Sequence, residues 1–129
     1  MTNYRLVMPG DLNNYGALFG GQLLRWVDED AWLAASLDFP HCRFVTIGMD
    51  RVEFRRSSRQ GDILRFESQR VKVGTTSVTY TVEVFQQHGD DTPMFTTHVT
   101  LVRVDEHGQK IAIDLNYNPK SAAQKLERP

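Results

Sequence analysis

An α+β fold, one antiparallel sheet packed against one helix, is what this 129-residue sequence predicts, and three observations carry the expectation. A single stretch, Gly20 to Leu37, repeats its apolar residues at helical spacing. Four later stretches are long and strand-like. The breaks between them hold turn residues suited to neighbouring antiparallel strands. Long strands following one helix suggest a sheet that wraps it, and the chain length allows one domain with one core.

In order, residues 4 to 8, "YRLVM", read as a short strand closed by the turn formers Pro9 and Gly10, and a loop follows to about Phe19. In the helix, Leu23, Leu24, Val27, Ala31, Ala34 and Ala35 fall on one face. Phe39, Pro40 and His41 end it, because a proline biases the residue before it away from helical geometry. Strands are expected at 43 to 54, 63 to 73, 77 to 87 and 95 to 105. In "SVTYTVEVF", Val78, Tyr80, Val82 and Val84 alternate with Thr79, Thr81, Glu83 and Phe85, the period of a half-buried strand, and "FTTHVTLVRV" repeats it. "SSRQGD", "VGTT" and "HGDDTP" supply the turns. The domain is expected to span 1–115, with a polar tail at 116–129.

Composition excludes several classes. No apolar run approaches the roughly 18 to 20 residues of a membrane span. Lys and Arg total 15 against 16 Asp and Glu, so at net charge -1 nothing pulls the chain towards nucleic acid or an anionic membrane, and any anion must be held locally. The N-terminus has no basic segment leading into an apolar one, and Cys42 is alone; both point to the cytoplasm. His41, His88, His98 and His107 lack metal-ligand spacing, so no metal is expected. No glycine-rich dinucleotide or nucleotide loop is present, and no cofactor is expected.

The candidate chemistry lies between Asn13 and Asp30. On a helical wheel of about 100° per residue, the apolar face centres near Val27, which puts Asp28 and Asp30 roughly 80° to either side and Glu29 nearly opposite. Glu29 is a surface residue. Asp28 and Asp30 are equally marginal, where desolvation raises a carboxylate towards a general base's range. A solvent-edge carboxylate without chemistry is the bland alternative for either. Gly16, Gly20 and Gly21 precede or open the helix, whose first N–H groups carry a partial positive charge able to hold an oxyanion. Asn13 and Asn14 are turn residues or amide donors. Arg51, Arg55, Arg56 and Arg59 form the densest basic patch, either a solvated strand end or a phosphate contact.

The run "MPGDLNNYGALFGGQLLRWVDE", Met8 to Glu29, resembles the signature of the hotdog-fold acyl-CoA thioesterases, the YciA-like and cytosolic acyl-CoA hydrolase group. "VEFRRSSRQGD" resembles that group's strand ending in Phe before a Gly-Asp turn, and "VKVGTTS" its Gly-Thr-Thr-Ser turn. Together they cover about residues 8 to 105 in the family's order. The resemblance implies a curled antiparallel sheet around a buried helix, with two protomers pairing their sheets edge to edge. It places family catalytic roles on Asn13 and Asp28, contributed to each site by opposite protomers, so that a homodimer is required; further assembly into a trimer of dimers is left open. Leu12, Asn14, Val27 and Arg56 depart from the family's usual Thr, His, Met and Pro, and none of them removes a catalytic group.

The implied reaction is hydrolysis of acyl-CoA to a free acid and CoA, with CoA a part of the substrate. The Gly20 or Gly21 amide would polarise the thioester carbonyl, Asp28 would activate water or attack directly, and Asn13 would orient water or carbonyl. The CoA phosphates would use Gly74, Thr75, Thr76 and Ser77 with Arg55 and Arg56 as charge partners; the bland alternative for the turn is a plain hairpin. Two other classes remain: an acyl-CoA-binding sensor without turnover, and an acyl-thioester hydratase or dehydratase, against which the lack of any His between Asn13 and Asp38 counts.

Overall fold

In the computed structural model, which describes residues 1–116, five strands form one antiparallel sheet against a single long helix. β1 spans Thr2–Leu6, α1 Gly20–Asp38, β2 Arg43–Phe54, β3 Ile63–Val73, β4 Ser77–Gln86 and β5 Phe95–Val104. The strand order is β1-β3-β4-β5-β2, a curled sheet that wraps the helix, as the resemblance implies. The expected tail lies, from residue 117 onward, outside the described residues.

The helix and the four long strands stand where the sequence puts them, to within one residue at each end. The turn residues set these limits. Asp105 leaves β5 because its Oδ1 accepts the N–H groups of His107 at 2.8 Å and Gln109 at 2.9 Å, which closes a turn. The first strand differs: it is Thr2–Leu6, not 4 to 8. Leu6 pairs with Ile63, the first residue of β3, so the ladder ends there. Val7 bonds instead to the turn before β3, its N–H to the Asp62 carbonyl and its carbonyl to the Gly61 N–H, each at 2.9 Å.

Val78, Tyr80, Val82 and Val84 of β4 are all buried, as the alternation requires, and face α1 together with Leu64 and Phe66 of β3 and Val99 and Leu101 of β5. On α1, Leu23, Val27, Ala31, Ala34 and Ala35 are buried and Leu24 partly so. Trp26 joins them, its ring edge-on to Phe66 with centroids 6.2 Å apart. Including Trp26 moves the centre of the buried face towards Asp30 and away from Asp28. The two acids are therefore not equivalent: Asp30 is fully buried, and Asp28 sits half-buried at the rim.

β2 ends the sheet, and of its twelve residues only Phe44 is buried. Val45, Ile47 and Val52 are exposed along it. A long edge with unpaired backbone groups and apolar side chains is a template for another strand.

Candidate active site

The loop from Met8 to Phe19 is held by one carboxylate that the sequence reading passed over. Asp11 Oδ2 accepts the Met8 N–H at 2.8 Å, Oδ1 accepts from Gln22 Nε2 at 2.9 Å, and its carbonyl accepts the Phe19 N–H at 2.9 Å, so the loop is tied to the first turn of α1. Asn13 then builds a turn of its own: Oδ1 accepts from Tyr15 N at 2.9 Å and Ala17 N at 3.1 Å, leaving the Nδ2 end as its outward donor. Gly16, at φ +78°, closes this turn in the left-handed region.

Phe19 caps α1 with its carbonyl, which accepts from Gln22 at 3.0 Å and Leu23 at 3.1 Å. The N–H groups of Gly20 and Gly21 lie ahead of these bonds and have no intrahelical acceptor. Gly20, but not Gly21, lines a groove of about 360 Å³ whose wall also includes Leu23, Phe54, Arg55 and Arg56. A Cβ at Gly20 would rest in ordinary contact with the Phe54 ring, at 3.5 Å.

Both arginines already have partners. Arg55 donates to Glu53 Oε2 at 2.8 Å. Arg56 donates to Asp90 Oδ1 at 2.8 Å and to the Thr92 carbonyl, and with Thr92 it holds the Asp90 carboxyl down at about 2. The turn Gly74–Ser77 is elsewhere: Ser77 pairs with Val102 of β5, whereas Phe54, next to Arg55, pairs with Phe95 at the other end of that strand. One protomer thus does not bring the two expected phosphate-binding groups together. The carbonyls of Thr75 and Thr76 are also taken, by the N–H groups of Ile113 at 2.9 Å and Arg103 at 2.8 Å.

Asp28 lies eight residues into α1, about 12 Å along the axis from Gly20. It faces a second groove, of about 350 Å³, lined by Asp28, Glu29, Trp32, Leu33 and Thr46. Thr46 Oγ1 donates to Asp28 Oδ1 at 2.6 Å, fixing one oxygen of a carboxylate that lines the groove. Thr46 gave no sequence signal, because it meets Asp28 only when β2 crosses the helix. A bulge follows it between Thr46 and Gly48, of a kind that re-aims side chains. Asn13 lines neither groove, and no histidine lines the Asp28 groove. Glu29, half exposed, pairs with Arg25 and Arg5 at 3.3 and 3.5 Å.

Asp30 is occupied differently. Its Oδ1 accepts from Arg5 Nη2 at 2.8 Å and Asn3 Nδ2 at 3.0 Å, joining α1 to β1, while the Arg5 guanidinium lies over the rings of Trp26 and Phe66 at 5.5 and 5.3 Å. Burial pushes its carboxyl above the ordinary range, against the Asn3 hydrogen bond and the Arg5 charge. Asp30 is a structural clasp. Among the described residues no cluster of His, Cys, Asp and Glu could hold a metal ion, and no helix is long and apolar enough to cross a membrane.

Known proteins share this fold. An uncharacterized acyl-CoA thioester hydrolase of Bacillus subtilis, YkhA, is 35% identical over 112 residues, 83% of this chain and 63% of that protein, so the match spans less than two thirds of the relative's length. Among solved structures, a hexameric hotdog fold thioesterase of Campylobacter jejuni superposes with a TM-score of 0.78 at 32% identity, over 96% of this chain and 92% of that one. A hexameric thioesterase of Yersinia pestis gives 0.81 at 27% identity over 87% and 93%. The model of the thioesterase superfamily matches residues 15–92, a span that holds Gly20, Thr46 and Asp28 and starts two residues after Asn13. With that model matching more than half of its length, the chain belongs to the thioesterase superfamily.

Proposed function

We propose that this chain hydrolyses acyl-CoA thioesters, with Asp28 as its working carboxylate and a second copy of the chain completing each site. The observation that carries the reading is the Asp28–Thr46 pair. It holds a half-buried carboxylate, one oxygen fixed and one free, at the mouth of a largely apolar groove. Water adds to the thioester carbonyl as Asp28 takes its proton. The tetrahedral intermediate collapses with loss of the C–S bond, and the products are a carboxylic acid and the CoA thiol. A thiol with pKa near 8.5 leaves with little acid assistance, so the site needs few groups. Direct attack by Asp28 to give an anhydride uses the same geometry.

The Gly20 and Gly21 N–H groups, at the positive end of α1, would hold the developing oxyanion, a contribution of about 3 to 4 kcal/mol in other enzymes. They lie about 12 Å from Asp28 along the helix, and Asn13 lines neither groove. Pairing of β2 with a partner's edge would bring the Asn13 loop and helix N-terminus of one protomer to Asp28 of the other, and would cover Val45 and Ile47. The same pairing lets Arg55 and Arg56 of one subunit and Gly74 to Ser77 of another share the CoA phosphates. Hexamers of the Campylobacter and Yersinia thioesterases support an assembly built from such dimers.

Thiol release from an acyl-CoA panel tests the reading. Wild type is expected to turn over at least one member, and Asp28→Asn, which keeps shape and loses the base, to fall by about 100-fold or more. Equal rates for the two proteins would remove Asp28 from the mechanism.

A further inference from the structure

We propose that Trp32 is a specificity-determining residue that closes the acyl subsite one helical turn beyond Asp28 and confines the enzyme to short acyl chains. The proposal rests on the thioesterase reading above and adds its substrate class.

Two side-chain contacts tie α1 to β2 beside the groove. Thr46 donates to Asp28 at 2.6 Å, and Trp32 Nε1 donates to the Phe44 carbonyl at 3.2 Å. From Asp28 to Trp32 is four helical residues, about 6 Å; from Thr46 back to Phe44 is two strand residues, about 6.6 Å. The helix and strand therefore advance in step, in opposite directions, and the contacts are successive rungs across one groove. Asp28 marks one rung and the indole the next. Helical side chains lean towards the N-terminus, so the indole leans back over the space beside Asp28.

The substrate's orientation follows from charge and polarity. Its carbonyl carbon must lie at Asp28, and from there the acyl chain and the CoA limb leave in different directions. The space between the rungs is bounded by Trp32 and Leu33, 45% and 40% exposed, and by the Glu29 carboxylate at its rim. Apolar walls suit the acyl chain and offer no partner to the charged CoA phosphates. The chain thus runs towards Trp32. The rungs lie about 6 Å apart along the helix axis, which bounds the gap from above, so with carbon–carbon bonds of about 1.5 Å in a zigzag the indole stops an acyl chain of at most about five or six carbons. The hydrogen bond to Phe44 anchors the ring to β2 where Trp32 lines the groove, so the limit is a held wall.

The test is kcat/KM for butyryl-, hexanoyl- and decanoyl-CoA with the full chain and two variants. Wild type is expected to lose at least about tenfold between hexanoyl- and decanoyl-CoA, the scale on which a hydrophobic pocket rejects excess length. Trp32→Ala should raise the decanoyl-to-hexanoyl ratio by about tenfold or more. Trp32→Phe, which keeps a ring but loses the donor, should fall between. A general loss of stability moves all three substrates together and leaves the ratio alone. A wild-type profile flat to decanoyl-CoA, or an unchanged ratio in a folded Trp32→Ala, overturns the proposal. If Trp32→Ala does not fold, the wild-type profile and Trp32→Phe decide. Activity that disappears in Asp28→Asn but shows no length limit sinks Trp32 alone, while no turnover at any length sinks the thioesterase reading itself.

Discussion

Three consecutive acids on one helix take three separate roles because side chains 100° apart meet different surroundings. Glu29 is half exposed and paired with Arg25 and Arg5, Asp30 is consumed by Arg5 and Asn3, and Asp28 lines a groove with one oxygen held by Thr46. Periodicity removed Glu29 and could go no further, since the wheel without Trp26 is symmetrical between the other two; only the resemblance singled out Asp28. Thr46 was illegible, being 18 residues away from Asp28 and on another element. Its hydroxyl is the donor that fixes the carboxylate, and hydrogen bonds to charged groups contribute about 1.5 to 3 kcal/mol. Thr46→Val, which keeps the shape, is accordingly expected to lower kcat by roughly 10- to 100-fold with a smaller change in KM. Wild-type kcat in that variant would show that the bond does not serve the reaction.

Among elements, those with turn chemistry at both ends were readable to a residue: β2, β3 and α1 begin where the sequence places them. β1 was not, because its limits come from pairing with β3, and neither were the bulges that interrupt β2. The joint between β1 and α1 was equally hidden. It consists of Asp30, Asn3 and Arg5 against Trp26 and Phe66. Burial lifts the Asp30 carboxyl above 3.8, so the folded chain takes up its proton more readily than the unfolded one. The stability this brings is full below 3.8 and is lost as pH rises through the lifted value. Asn carries no such proton. In urea unfolding, wild type should therefore stand best against Asp30→Asn at acid pH, and its relative position should worsen towards neutrality; a gap that widens in favour of wild type as pH rises would contradict this sign.

For the molecule as a whole, the sequence carries the wrap of strands around one helix, and says nothing by periodicity about association. That information sits on the surface, in the apolar residues of an open edge and in grooves that separate Gly20 from Asp28. The proposed site is assembled from two copies, with Asn13 from one and Asp28 from the other. Mixing tests it most directly: Asn13→Ala and Asp28→Asn, each inactive alone, are unfolded together and refolded at equal amounts, and thioester hydrolysis is measured. Heterodimers then hold one site with both changes and one with neither, so random pairing should restore about one quarter of wild-type activity. No recovery from a mixture shown to contain heterodimers would mean that both residues serve from the same chain, and the two-copy site would be wrong.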